Sequence, residues 1–178
     1  MYVISTCLER TALTLVICIV LKSLSKSMTN NVAQASIYRL TGVNFWENAK
    51  IIETKLEKLI DGSPSKLTAI PFYFLVSHAV ELFLKSALLK RGFTANDLKK
   101  YDYRHDLNML LEALQKKGVD ITPATVDVIN GLHLQHENHA LRYDALLGIK
   151  KLYWPPTDLI HKALDELLLL TRLSTQGK

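Results

Sequence analysis

Apolar residues recur along this chain at spacings of three and four, and each such run predicts a helix. Phe45, Trp46, Ala49, Ile52, Leu56, Leu59 and Ile60 form one helical face, so a helix is predicted from Phe45 to Ile60. Asp61-Gly62-Ser63-Pro64 ends it with turn chemistry. Leu67 to Lys90 comes next, with Pro71 in its first turn and almost continuous apolar character from Ala69 to Leu89. A helix that is apolar all round belongs in a core, so this one is predicted to be the central buried helix. Arg91-Gly92 closes it, and Thr94-Ala95-Asn96-Asp97 reads as a capping signal for a short turn.

Leu107, Leu110, Leu111 and Leu114 mark a third helix from His105 to Lys117, stopped by Gly118. Thr122-Pro123 starts a fourth, which passes through Val126 and Ile129 towards His139. Gly131 inside it costs about 1 kcal/mol relative to Ala. Arg142 to Trp154 has no clear period, and Pro155-Pro156 ends that connection. Thr157 caps a last helix carrying Leu159, Ile160, Ala163, Leu164, Leu167, Leu168 and Leu170. No segment alternates as a half-buried strand does, so the pattern predicts an all-α bundle.

The first 27 residues differ from the rest. Ala12 to Leu21 is an apolar run broken only by Thr14, too short for the roughly 20 residues a spanning helix needs. Its length suits the apolar part of a signal peptide, but Glu9 precedes it and no Ala-x-Ala-like site follows. Three readings stand: an upstream extension with the working start at Met28, an added helix packed on the domain, or a secretion or anchoring signal. The first is preferred, giving residues 1–27 as a leader and residues 28–178 as a single domain in the cytoplasm, with no membrane partner expected.

Composition narrows the chemistry. A chain of 178 residues with 48% hydrophobic and 22% charged residues fills one domain and is not disordered. Its 7 Gly and 5 Pro are too few for a turn-rich sandwich, and no Gly-rich phosphate loop is present. Both cysteines, Cys7 and Cys18, lie in the leader, so the body has no thiolate metal site and no cysteine nucleophile. The net charge is +5, of which the leader carries +2, leaving a mild positive bias compatible with a nucleic-acid partner.

Few residues carry chemistry. His133, His136 and His139 follow a spacing of three, which spreads them over an arc of about 120° on a helix, so the three do not grip one ion together. His136-Glu137-Asn138-His139 is one residue short of the His-Glu-x-x-His zinc pattern, and no metal or other cofactor is expected. Asn138, His139, Arg142 and Tyr143 lie where a helix meets an irregular connection. A guanidinium grips phosphate and an imidazole moves a proton near neutral pH. Metal-free RNA cleavage needs those two roles, a base for the ribose 2′-hydroxyl and a cation for the phosphorane. Arg142 paired with Asp144 or Glu137 is the purely structural alternative. On the central helix His78, Glu81 and Lys85 share one stripe, with Glu81 and Lys85 spaced to pair, and read as a polar clamp. Arg104 and His105, beside Tyr101 and Tyr103, could touch RNA or anchor a loop.

The run Ser77-His78-Ala79-Val80-Glu81-Leu82-Phe83-Leu84-Lys85-Ser86-Ala87-Leu88-Leu89-Lys90-Arg91-Gly92 resembles the central helix of HEPN domains (higher eukaryotes and prokaryotes nucleotide-binding). His105-Asp106-Leu107-Asn108-Met109-Leu110 resembles the His-Asp-Leu element that follows it there, and Arg142-Tyr143 a later Arg-Tyr pair. The likeness runs in order from Phe45 to Leu170. It implies an antiparallel bundle of four to five helices, a homodimer, and binding of RNA or nucleotides. Many members are metal-independent endoribonucleases of toxin or antiphage systems. Together with the chemistry read from the residues, the resemblance leaves His139, Arg142 and Asn138 as the candidate catalytic set, with Tyr143, His105 and Arg104 as RNA contacts. The family's nuclease pattern places a His a few residues after an Arg. Here His139 precedes Arg142, and the next His is His161. The alternative is a non-catalytic helical module that partners a nucleotidyltransferase or a defence complex.

Overall fold

The computed structural model describes residues 29–57, 66–136 and 154–172, and among them there is helix and no strand. The helices are α1 (29–53), α2 (Lys66–Leu89), α3 (Tyr101–Arg104), α4 (Leu107–Lys116), α5 (Pro123–His136) and α6 (Thr157–Leu170). A single 3₁₀ turn, Asp97–Lys99, precedes α3. The described residues are therefore all-α and form a helical bundle.

α2 is the spine because its apolar residues go all round it. Phe72, Val76, Val80, Phe83, Leu84 and Leu88 have no exposed surface, and α4, α5 and α6 all pack against it. Full burial of each such side chain is worth about 1.5–3 kcal/mol. The stretch Ala69–Leu89 is long and apolar enough to span a membrane, but 78% of its 18-residue apolar window is buried inside the bundle. Pro71 lies in the second turn of α2, further in than the sequence predicts, and the helix continues through it. α2 and α4 stop alike. Gly92 and Gly118 take φ of +92° and +74°, and the amides of Phe93 and Val119 donate back to the carbonyls of Leu88 and Leu114.

α1 differs most from the sequence prediction. It is already helical at residue 29 and ends at 53, not at Ile60. Its buried stripe is Ala35, Gly42, Trp46 and Ala49, mostly small residues, so hydropathy alone does not reveal it. The small residues let the backbones approach. The Ser86 hydroxyl donates to the Ala35 carbonyl at 2.8 Å, and a methyl added at Gly42 would lie 2.7 Å from Cε1 of the buried Phe83. We expect Gly42→Val to lower the unfolding free energy by about 2–3 kcal/mol in urea titrations, because Phe83 has no room to yield.

Contacts fix the directions. Ala35 meets Ser86, and Phe45 meets His78, so α1 and α2 are antiparallel. Tyr73 Oη donates to the Pro155 carbonyl at one end, while Arg91 donates to the Leu170 carbonyl at the other. α2 and α6 therefore run in the same direction, a neighbouring pair that a strictly antiparallel bundle would not contain. Trp154 packs on Tyr73 with ring centroids 4.3 Å apart and secures the start of α6.

Candidate functional site

The stripe of α2 that carries His78, Glu81 and Lys85 turns towards the α3–α4 junction and the end of α5. Glu81 is only 5% exposed and is the hub. Its Oε1 accepts a hydrogen bond from Lys85 Nζ at 2.5 Å. Lys85 Nζ also donates to the Arg104 carbonyl at 2.6 Å, so one ammonium neutralises a buried carboxylate and caps the last turn of α3. On the other side Oε2 lies 2.6 Å from His136 Nε2 and 3.3 Å from His105 Nδ1.

The imidazoles occupy different surroundings. His136 is buried, whereas the His105 side chain is 40% exposed, so the network reaches from the core to solvent. The His78 ring nitrogen Nδ1 lies 2.9 Å from the Phe74 carbonyl, which makes it the donor and leaves the lone pair on Nε2. The ring is wedged among Phe74, Phe45 and His136, with centroids at 4.3, 5.6 and 4.9 Å. One ligand atom each from His78, Glu81 and His136 lies within 4.8 Å of the others.

His133 and His136, three apart on α5, go to different partners. His133 Nδ1 lies 3.4 Å from Asp106, whose carboxylate also accepts from the Met109 amide as the N-cap of α4. α4 therefore starts at Leu107, with His105 outside it. Arg104 contributes its carbonyl to the network and leaves its guanidinium exposed. Tyr103 packs edge-on against Phe93 at 5.6 Å and anchors the loop. Thr94 and Asp97 exchange backbone and side-chain hydrogen bonds, forming the capping pair their spacing suggests. Asn138, His139, Arg142 and Tyr143 lie outside the described residues, as do the leader and the turn at Asp61.

Two further polar clusters had no local signal in the sequence. Trp46 Nε1 donates to His161 Nδ1 at 2.8 Å, and His161 Nε2 lies 2.6 Å from Glu53. An indole nitrogen only donates, so His161 accepts at Nδ1 and carries its proton at Nε2 towards the carboxylate. This relay joins α1 to α6. Glu166 on α6 accepts from the Thr122 amide and from the hydroxyls of Thr122 and Thr125, at 2.9, 2.7 and 2.6 Å, and so caps α5 from a neighbouring helix.

These arrangements set an acid limit. Burial pushes the Glu81 carboxyl up, but the His136 hydrogen bond and the Lys85 ammonium outweigh it and bring it down from 4.5 to about 2. Glu53 and Glu166 are also lowered: burial opposes this, and hydrogen bonds from His161 and Thr157, and from Thr125 and Thr122, prevail. A carboxyl lowered on folding stabilises the native state above its unfolded value and loses that effect as pH falls through the folded one. At about 1.4 kcal/mol per pH unit, Glu81 is expected to contribute about 3 kcal/mol that disappears between pH 4.5 and about 2. Urea midpoints measured from pH 7 to pH 2.5 check this, and Glu81→Gln should flatten the acid limb.

Comparison with known proteins gives no matching family model, no matching curated protein and no matching solved structure.

Proposed function

We infer that this chain is a HEPN-like helical protein that binds RNA or nucleotides and acts as a homodimeric, metal-independent endoribonuclease. One juxtaposition supports the reading above all. The solvent-reaching His105 and the end of α5 meet at Glu81, and Asn138, His139, Arg142 and Tyr143 follow His136 in the chain within seven residues. Residues suited to proton transfer and phosphate binding thus follow, in the sequence, a helix end that shares Glu81 with an imidazole facing water.

The chemistry needs no cofactor. His139 takes the proton of the ribose 2′-hydroxyl, and the 2′-oxygen attacks phosphorus. Arg142 balances the charge of the phosphorane. The P–O5′ bond breaks, and the 5′-oxygen leaves with a proton from an imidazolium, a role open to His105. Tyr143 and Arg104 supply stacking and phosphate contacts to single-stranded RNA. Purified full-length protein is expected to cleave single-stranded RNA in EDTA. His139→Ala should remove that cleavage, and Arg142→Ala should slow it by about 100-fold or more. RNA that stays intact under these conditions rejects the enzyme.

A second reading draws on α1. Val32, Ile37, Leu40 and Ile51 are 54–66% exposed on its outer side. In this reading the protein is a non-catalytic module whose partner is a nucleotidyltransferase or a defence complex. It predicts stable co-purification with such a partner, lost in Ile37→Glu/Leu40→Glu, and no RNA cleavage.

A further inference from the structure

We propose that His78, Glu81 and His136 form a zinc-binding site that ties α2 to the end of α5. It does not rest on the ribonuclease reading, whose chemistry runs without metal.

Three side chains from two helices already point one ligand atom each into a space no wider than 4.8 Å. Two imidazoles and a carboxylate are the donors of a borderline metal such as zinc, and they exclude magnesium and calcium, which take oxygen. Their orientation is set beforehand. His78 gives Nδ1–H to the Phe74 carbonyl, the outer-shell bond that aims the other nitrogen of a metal-bound histidine at its ion. Glu81 has Oε1 held by Lys85, so only Oε2 faces the imidazoles and binding is monodentate. Phe74 and Phe45 wall the position with apolar rings. Three protein donors leave the fourth position of a tetrahedral ion to water.

Donors on a tetrahedral zinc lie about 3.3 Å apart at bond lengths near 2.0–2.1 Å, so His136 Nε2 and Glu81 Oε2, now 2.6 Å apart, part slightly to admit the ion while the wider separations, none above 4.8 Å, close around it. The proton shared by His136 and Glu81 leaves to solvent as the ion enters. Lys85 opposes the ion electrostatically, because it already neutralises the carboxylate. Its ammonium holds Glu81 when no metal is bound and limits how tightly one binds.

The test uses the full-length chain, stripped with chelator and titrated with Co²⁺ as an optical probe. One equivalent should bind saturably at micromolar metal with the visible bands of tetrahedral cobalt, and Zn²⁺ should displace it and raise the melting temperature. His78→Ala and His136→Ala should each weaken binding by about 100-fold or more, while His161→Ala leaves it unchanged. Lys85→Met should tighten binding about tenfold, since it removes a positive charge next to the ligand carboxylate. Ring NMR signals of the unaltered protein give a readout that needs no variant: Zn²⁺ should move those of His78 and His136 and not that of His161. No saturable binding, binding that survives both His→Ala changes, weaker binding in Lys85→Met, or unmoved ring signals would each overturn the proposal.

Discussion

Glu81→Leu is expected to lower the unfolding free energy by about 3–5 kcal/mol, the cost of leaving a buried charge without its partner. The substitution strands the Lys85 ammonium, which is 8% exposed and keeps only the Arg104 carbonyl. It also takes the acceptor from His136, itself buried. Loss of a hydrophobic contact cannot cause the effect, because leucine adds apolar surface. The charge explanation makes a second demand. Glu81→Leu combined with Lys85→Met should recover most of the loss, because replacing both members of a buried pair with apolar groups is often neutral or better. Urea unfolding followed by circular dichroism on the two single variants and the double variant closes the cycle. A double variant no more stable than Glu81→Leu alone would show that the pair is not the source.

Trp46→Ala is expected to cost about 3–5 kcal/mol, with Trp46→Phe costing about 1–2 kcal/mol. The indole is 5% exposed and meets Phe83 on α2 edge-on at 6.4 Å and His161 on α6 face-on at 6.1 Å. Truncation opens a cavity where three helices meet. Phenylalanine fills most of that cavity but leaves His161 Nδ1 without its donor. The gap between the two variants separates packing from hydrogen bonding. If Trp46→Phe proved as damaging as Trp46→Ala, the relay to Glu53 would outweigh the packing.

What the sequence disclosed follows from distance along the chain. The apolar run of α2, the stops at Gly92 and Gly118 and the i, i+4 pair Glu81–Lys85 are all local, and each was legible. α1 was half legible. Trp46 and Ala49 were read, but the half before Phe45 buries Ala35 and Gly42, which pack by being small, so the period there carried little hydropathy. The carboxylate–imidazole contacts were not legible. Glu81 and His136 stand 55 residues apart, and Trp46 and His161 stand 115 apart, with nothing in either neighbourhood to announce the other. His136 looked like one of three evenly spaced histidines, and only the packing of α5 on α2 shows that it parts from His133.

The shared direction of α2 and α6 has a consequence during synthesis. α6 is the last described helix, and it covers a face of α2 that was made some 80 residues earlier, as the link from Arg91 to Leu170 shows. At a ribosome adding about 5–20 residues per second, that oily strip waits several seconds for its cover. During the wait it has the length and hydropathy that targeting machinery reads as a membrane anchor. Newborn chains of this protein should therefore lean on a holding chaperone until the C-terminal helix emerges.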